Sequence, residues 1–563
     1  MATDTAAAGL TDLSLATVWE AVARAIPDAP ALFHGPLERN WREFEARSAR
    51  FAGHLDSAGL RPDSKVALYC YNGPEYLEAT FGAFKARCVP VNVNYRYLEG
   101  ELTYLLDNSD AEAVVFSADL ADRLDAVRPA LPKITTFVCV GADDAHPVPD
   151  WAIDFDTALD QADPMPPIDR SGDDLWFLYT GGTTGMPKGV MWPHRSLLGI
   201  AGATFRIIKA PVPSTVDEVE STARAFHERG KAVRLLPAAP LMHGTSAMTT
   251  IGVLCAGGSV TTLTSTSLDG DEICATVADR RISQLTIVGD AFAKPIVAAL
   301  EAADAAGRPY DWSAVRMIVS SGVMWSRPVK DSLLAHCDAM LADLLGSSEG
   351  VGFGSSVARR GAATDTAKFV LGEHAQVFND AGRAVEPGSG EVGMLAVGGP
   401  IPIGYYKDPD KTEGTFRTID GRTWSVPGDF ATVEADGTIT LLGRGSACIN
   451  TAGEKVYPEE VEETLKLHPS VRDSNVVGLP DEKWGQAVTA LVEIERDSEL
   501  SGSGALAIQA ELISFTKQHL SGYKCPKAVF VVDRIQRGPN GKADYRWAAD
   551  LAARLTAAPD TVH

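Results

Sequence analysis

"YTGGTTGMPKGV", Tyr179 to Val190, crowds glycines, threonines and one lysine together directly behind the apolar run Leu175-Trp176-Phe177-Leu178. Glycines let backbone N–H groups come close to an anion, threonine hydroxyls add donors, and Lys188 adds charge. The stretch reads as a phosphate cradle fed by a buried strand. It is not a Walker loop, because G-x-x-x-x-G-K-[ST] cannot be laid over it.

Outward from this point the chain alternates strand and helix patterns. Residues 44–58 have helical spacing, 65–71 read as a buried strand, 74–87 as a helix and 88–93 as a short strand. Residues 101–108 and 113–116 repeat the pair. Short strands separated by amphipathic helices predict an α/β fold around a mostly parallel sheet. The polar run STVDEVESTARAFHERGK, within 207–234, predicts a surface helix beside a loop, a solvated insertion. From about Val385 short strand-like runs between Gly and Pro turns predict a small β-rich lobe. After Arg444 a compact α+β module begins, opened by Pro458 and the acids Glu459 and Glu460 at a helix start. The expected division is a large N-terminal domain, 1–444, and a small mobile C-terminal domain, 445–563.

With 563 residues and 45% hydrophobic content the chain can bury several cores. Its net charge of -23 speaks against a nucleic-acid partner, which needs a basic footprint, and against docking on anionic lipid. The eight cysteines form no C-x-x-C pair, so scattered thiols in a reducing cytoplasm are the expectation. Neither a signal peptide nor an integral membrane segment is legible. A homodimer is the base-rate expectation. Gly388-Ser389-Gly390-Glu391-Val392-Gly393 satisfies G-x-G-x-x-G, but it follows Pro387 and runs into the strand-like MLAVGG, so it reads as a turn.

The phosphate stretch has company. PLMHG (Pro240 to Gly244), LLGSSEG (Leu344 to Gly350), GYYKDPDKT (Gly404 to Thr412), WSVPGDF (Trp424 to Phe430), GRGSACINTAGEKVYPEEVEE (Gly443 to Glu463) and GPNGKADYR (Gly538 to Arg546) follow in one order. Together they resemble the adenylate-forming superfamily, and within it the AMP-forming acyl-CoA synthetases of actinobacteria that act on fatty acids and steroid side chains. The resemblance implies a reaction in two halves. A carboxylic acid attacks the α-phosphate of ATP, giving acyl-AMP and pyrophosphate. Coenzyme A then takes the acyl group and AMP leaves; the alternatives are an acyl-adenylating enzyme that passes the acyl group to a carrier protein, and an aryl-CoA ligase.

The resemblance also implies residue roles. Thr180, Gly181, Gly182, Thr183, Thr184, Gly185 and Lys188 would surround the β- and γ-phosphates. Glu349 would ligate Mg²⁺, which is content with one or two carboxylates plus phosphate oxygens and water. Gly322, Val323, Gly346, Ser347 and Ser348 would lie along the nucleotide. Asp429 would accept the ribose hydroxyls, and Arg444 would face ribose and α-phosphate. Lys542 would bridge the carboxylate and the α-phosphate. Ser446 stands at the expected hinge, where Asp or Lys is common, and Gly453 on the coenzyme A route. Two further departures are Asn450, where Lys is frequent, and Leu345, where an aromatic residue often stacks on adenine. His243 would stand beside the acyl tunnel and the reacting carboxylate; a satisfied core histidine is the alternative. Segments 244–251, 286–292, 320–325 and 350–356 are mostly small or apolar, which suits an aliphatic or ring-bearing acid without a second charge.

Overall fold

The computed structural model describes residues 12–182, 185–322, 325–361, 368–444, 449–451, 454–481, 485–496, 498–501, 503–520, 522–537 and 543–557. The chain divides into two compact units, one of residues 1–366 and 397–425, the other of 367–396 and 426–563. The fold is α/β.

The first unit holds an eight-stranded sheet in the order Gly404–Tyr405, Gly185–Pro193, Leu175–Gly182, Val89–Asn92, Lys65–Tyr69, Ala111–Ser117, Thr136–Val140, Ile153–Asp154. From Leu175–Gly182 onward neighbours run parallel. Parallel neighbours need crossovers, and the helices Pro74–Lys85 and Glu99–Asn108 supply them. Val89–Asn92 is buried at every position, as a strand covered on both faces requires. A second run of strands passes from Pro30–His34 through Ser259–Thr262, Arg234–Pro237, Gln284–Ile287 and Met317–Ser321 to Met340–Ser347, all parallel. It turns back antiparallel into Gly350–Ala358.

The helix Trp41–Ser57 starts at a capping box, in which Asn40 and Glu43 each satisfy the other's backbone N–H. The charged stretch expected as a solvated insertion forms the helix Val216–Glu228, and one of its faces is not solvated. Val219 and Ala223, four residues apart, are buried in the core that also holds the helix Leu15–Ala25. Arg24 and Glu220 join the same two helices at 3.1 Å. Among the described residues no helix is long and apolar enough to cross a membrane.

The second unit sets Thr438–Arg444 between Asp429–Val433 and Lys368–Leu371 in antiparallel strands, the expected β-rich lobe. Its G-x-G-x-x-G is a turn: Gly388 and Gly390 take φ of 76° and 71° ahead of the strand Val392–Val397. A five-stranded sheet follows, with Gly485–Ile494 at its centre, Val471–Asp481 along its edge and the helices Pro458–Lys466, Ala505–His519 and Tyr545–Ala557 beside it.

Candidate active site

The phosphate stretch folds as a β-hairpin. Leu175–Gly182 and Gly185–Pro193 run antiparallel, with Thr180 opposite Lys188 and Gly182 opposite Gly185. A strand returns where a Walker loop would open a helix. The register slips between Thr180 and Gly182, and Thr183 and Thr184 lie outside the described residues. Gly189 has a steric task. A Cβ there would collide with the ring of Tyr179 on the facing strand, and the Tyr179 hydroxyl donates to Asn108 Oδ1 at 2.7 Å.

The segment Gly404–Tyr405 lies antiparallel along the hairpin's second strand, Tyr405 opposite Val190. Tyr406 N donates to Gly189 O at 2.8 Å just beyond. This brings Asp408 to Lys188, whose Nζ meets Asp408 Oδ2 at 2.5 Å. Asp408 also caps the helix Pro409–Thr415 by accepting from Lys411 N at 3.0 Å. The lysine's hydrogen bond holds the Asp408 carboxyl below the usual carboxylate range. The Lys188 ammonium sits 6.0 Å from the centroid of the Tyr405 ring.

Glu349 occupies the turn of a second hairpin, Met340–Ser347 with Gly350–Ala358. Ser347 opposes Gly350, so Ser348 and Glu349 make the bend, and the register slips between Leu345 and Gly346. Side chains from several segments fix the bend. Ser347 Oγ accepts from Glu349 N at 3.2 Å, Ser425 Oγ donates to Glu349 O at 2.6 Å, and the Tyr405 hydroxyl donates to Glu349 Oε1 at 2.7 Å. Trp192, on the glycine hairpin, donates through Nε1 to Ser348 O at 3.1 Å. Trp192 and Tyr405 thus tie the two hairpins together.

His243 is the N-cap of the helix Gly244–Cys255 and is half-buried. Two asparagines hold the turn before it. Asn72 Nδ2 donates to Pro237 O at 3.3 Å and to Ala239 O at 3.2 Å, while its Oδ1 accepts from Leu241 N at 2.7 Å. Asn92 Nδ2 donates to Met242 O at 2.7 Å and to Tyr179 O at 2.8 Å. Gly322, with φ of 92°, follows the strand Met317–Ser321, and Val323 lies outside the described residues.

In the second unit Asp429 opens a strand after Gly428, whose φ is 97°, and stands directly opposite Arg444 in the ladder. A Cβ on Gly443 would collide with Glu459, which lies against that glycine. Further along the helix Pro458–Lys466, burial pushes the Glu462 carboxyl up to about 8. Ser446, Gly453 and Lys542 lie outside the described residues.

The first unit therefore gathers Thr180, Lys188, Ser347, Ser348, Glu349 and the corner bearing His243. Reading the sequence missed the side chains that hold them: Asn72, Asn92, Trp192, Tyr405, Asp408 and Ser425. One signal was available for Asn92, a polar residue inside the apolar run VPVN. The arrangement offers backbone donors, a tethered ammonium and one oxygen ligand on a tight turn. That is a fitting set for a polyphosphate with a hard cation.

Comparison with known proteins agrees. The pattern of the AMP-binding enzyme family matches residues 19–406, and that of the AMP-binding enzyme C-terminal domain matches 460–542. A medium/long-chain-fatty-acid–CoA/3-oxocholest-4-en-26-oate–CoA ligase of Mycolicibacterium smegmatis is 39% identical over 98% of this chain and 98% of its own. A 3-oxocholest-4-en-26-oate–CoA ligase of Rhodococcus rhodochrous is 40% identical over 96% of each. Among solved structures, that of the anthranilate CoA ligase AuaEII with anthranoyl-AMP shares the fold at a TM-score of 0.81, with 20% identity, over 97% of this chain and 98% of that one. With its motifs in order and the family pattern covering most of its length, the chain belongs to the AMP-binding enzyme family, within the adenylate-forming superfamily.

Proposed function

We propose that this chain is an ATP-dependent acyl-CoA ligase. It activates an apolar carboxylic acid as acyl-AMP with release of pyrophosphate, then passes the acyl group to coenzyme A with release of AMP. The observation that carries the reading is the glycine hairpin, strand returning on strand and tied through Trp192 and Tyr405 to the Glu349 turn. Its kinship with acyl-CoA ligases supports the acceptor and the acid. The proposed acid is a medium- or long-chain fatty acid or a bulky one of the steroid side-chain type. The proposed setting is the cytoplasm.

The first half-reaction brings two anions together, so donors already in place must offset their repulsion. The hairpin's N–H groups and Lys188 take the β- and γ-phosphates. Asp408 keeps the Lys188 ammonium at one spot, so little reorganisation is needed when phosphate arrives. Magnesium is implied by the family, and the donor set fits it. Glu349 is a hard oxygen ligand, half-buried and oriented by Tyr405, and the remaining ligands are phosphate and water. Bound there, the ion neutralises phosphate oxygens. Asp429 and Arg444 serve the nucleotide, and Lys542 meets the charge that moves between carboxylate and α-phosphate. Ser446 and Gly453 serve the second half-reaction.

A panel of fatty, aryl and steroid side-chain acids, scored by pyrophosphate release and by coenzyme A-dependent AMP release, tests the reading. Lys542→Ala should cut ATP-driven acyl-CoA formation by on the order of 10²–10³-fold, the cost of losing one transition-state donor. Transfer from supplied acyl-AMP should persist. A full rate from ATP in that variant sinks the assignment, and AMP release that ignores coenzyme A shifts it to another acceptor.

A further inference from the structure

The strand Val89–Asn92 pairs with Leu175–Gly182 only through Val91 and Phe177. Past that point the side chain of Asn92 continues the ladder. Its Oδ1 accepts from Tyr179 N at 2.6 Å and its Nδ2 donates to Tyr179 O at 2.8 Å. The carboxamide satisfies both polar groups of one residue, as the N–H and C=O of a directly opposed residue on an antiparallel strand would. The same Nδ2 donates its second hydrogen to Met242 O at 2.7 Å. Asn92 is 2% exposed, so these bonds are shielded from water. Tyr179 is the residue before Thr180, the first of the proposed phosphate-binding residues. Met242 is the residue before His243, on the proposed acid side. One buried side chain therefore joins the stem of the phosphate hairpin to the corner that carries His243.

Resting on the ligase reading above, we propose that Asn92 is a positioning residue for acyl-adenylate formation. It fixes the spacing between the subsite for ATP and the subsite for the acid, and it touches neither. The chemical consequence is selective. Before the acyl-phosphate bond forms, carboxylate and α-phosphate are two molecules whose approach depends on that spacing, and about 1 Å of misplacement can cost about 10²-fold in rate. After it forms, the covalent bond of acyl-AMP holds the two halves together, and the clamp matters little. Binding of either substrate alone uses one side of the clamp only.

The test compares Asn92→Ala and Asn92→Asp with the parent enzyme. Asparagine to aspartate keeps the volume and the acceptor for Tyr179 N, and removes both donations. The expected result is a fall of about 10²-fold in kcat for ATP-dependent pyrophosphate release. Calorimetric affinities for a non-hydrolysable ATP analogue and for the acid, each alone, should stay within about threefold. Transfer from supplied acyl-AMP to coenzyme A should also stay within about threefold. Thermal unfolding of each variant is followed alongside. Equal loss of both half-reactions, loss of ATP-analogue binding, or failure of both variants to fold makes the role one of general scaffolding and overturns the proposal. So does an unchanged kcat. If the parent enzyme releases no pyrophosphate with any acid, the ligase reading itself fails; an active parent with active variants defeats the inference alone.

Discussion

The glycine hairpin and the glutamate hairpin face the same problem with different materials. The first offers backbone: glycines at 181, 182 and 185 stand where its strands turn. The second offers one carboxylate, Glu349, on a bend only two residues wide between Ser347 and Gly350. A backbone donor needs little besides a well-placed strand, and the first hairpin is held from its stem by Asn92 and by the strand Gly404–Tyr405. A side-chain ligand has rotational freedom that must be removed. The second hairpin is accordingly held at its tip, by Ser347, Ser425, Trp192 and Tyr405. The difference teaches where substitutions should act: at the stem in one hairpin, at the tip in the other.

Glu349→Gln breaks the comparison most severely. It keeps the shape of the tip and removes the charge, so pyrophosphate release should fall by on the order of 10²–10³-fold. A magnesium titration should show weakened dependence on the ion. A variant with parental rate and parental magnesium dependence would mean that the tip carries no ligand. Tyr405→Phe sharpens the contrast. Only the hydroxyl that orients Glu349 is lost, while the ring near Lys188 stays. The apparent magnesium affinity should weaken by about 10-fold, the lower end of what an outer-shell partner contributes. The KM for the acid should hold, and a change confined to that KM would count against the orienting role.

The smallest effect belongs to the stem. The Asp408 carboxyl is held below its ordinary value of 3.8 by the hydrogen bond from Lys188. A depressed folded-state value stabilises above the unfolded one and ceases to do so as pH falls through the folded one. The contribution of Asp408 is therefore complete at neutral pH and declines progressively as pH falls below about 4. Asp408→Asn should lower the unfolding midpoint at pH 7 by a few degrees at most and leave it closer to the parental midpoint at pH 3. Thermal denaturation at the two pH values checks this, and a gap that widens in acid refutes it.

These hairpins also show how far the chain could be read without its structure. The α/β alternation was legible because buried strands and amphipathic helices differ in period, and the helix at Pro458 was legible from its proline and acids. Both hairpin motifs stood out in the sequence as dense clusters of small and polar residues. Their supports did not. Asn92 lies 87 residues from Tyr179 and 150 from Met242, and Tyr405 lies 56 from Glu349. A local pattern can mark such a residue, as VPVN marks Asn92 and GYYKDPDKT contains Tyr405, but it does not name the distant group it holds. Glu462 escaped for another reason. Among four acids in PEEVEE, helical spacing turns it inward to Val476 N at 2.8 Å, while Glu459 and Glu460 serve the helix start. The surface helix expected within 207–234 is present, but its solvated reading missed one face, since two small apolar residues a turn apart are enough to seat a helix.

Gly189 carries one more consequence. The motif shows it as one glycine among several, yet its lack of a side chain makes room for the ring of Tyr179. The first letter of YTGGTTGMPKGV and the last but one are thus a matched pair, free to drift only together. A relative that has lost the ring could afford a larger residue at the second position with its phosphate grip intact. Scored letter by letter, such a chain would look like a damaged motif; scored as a pair, it would not.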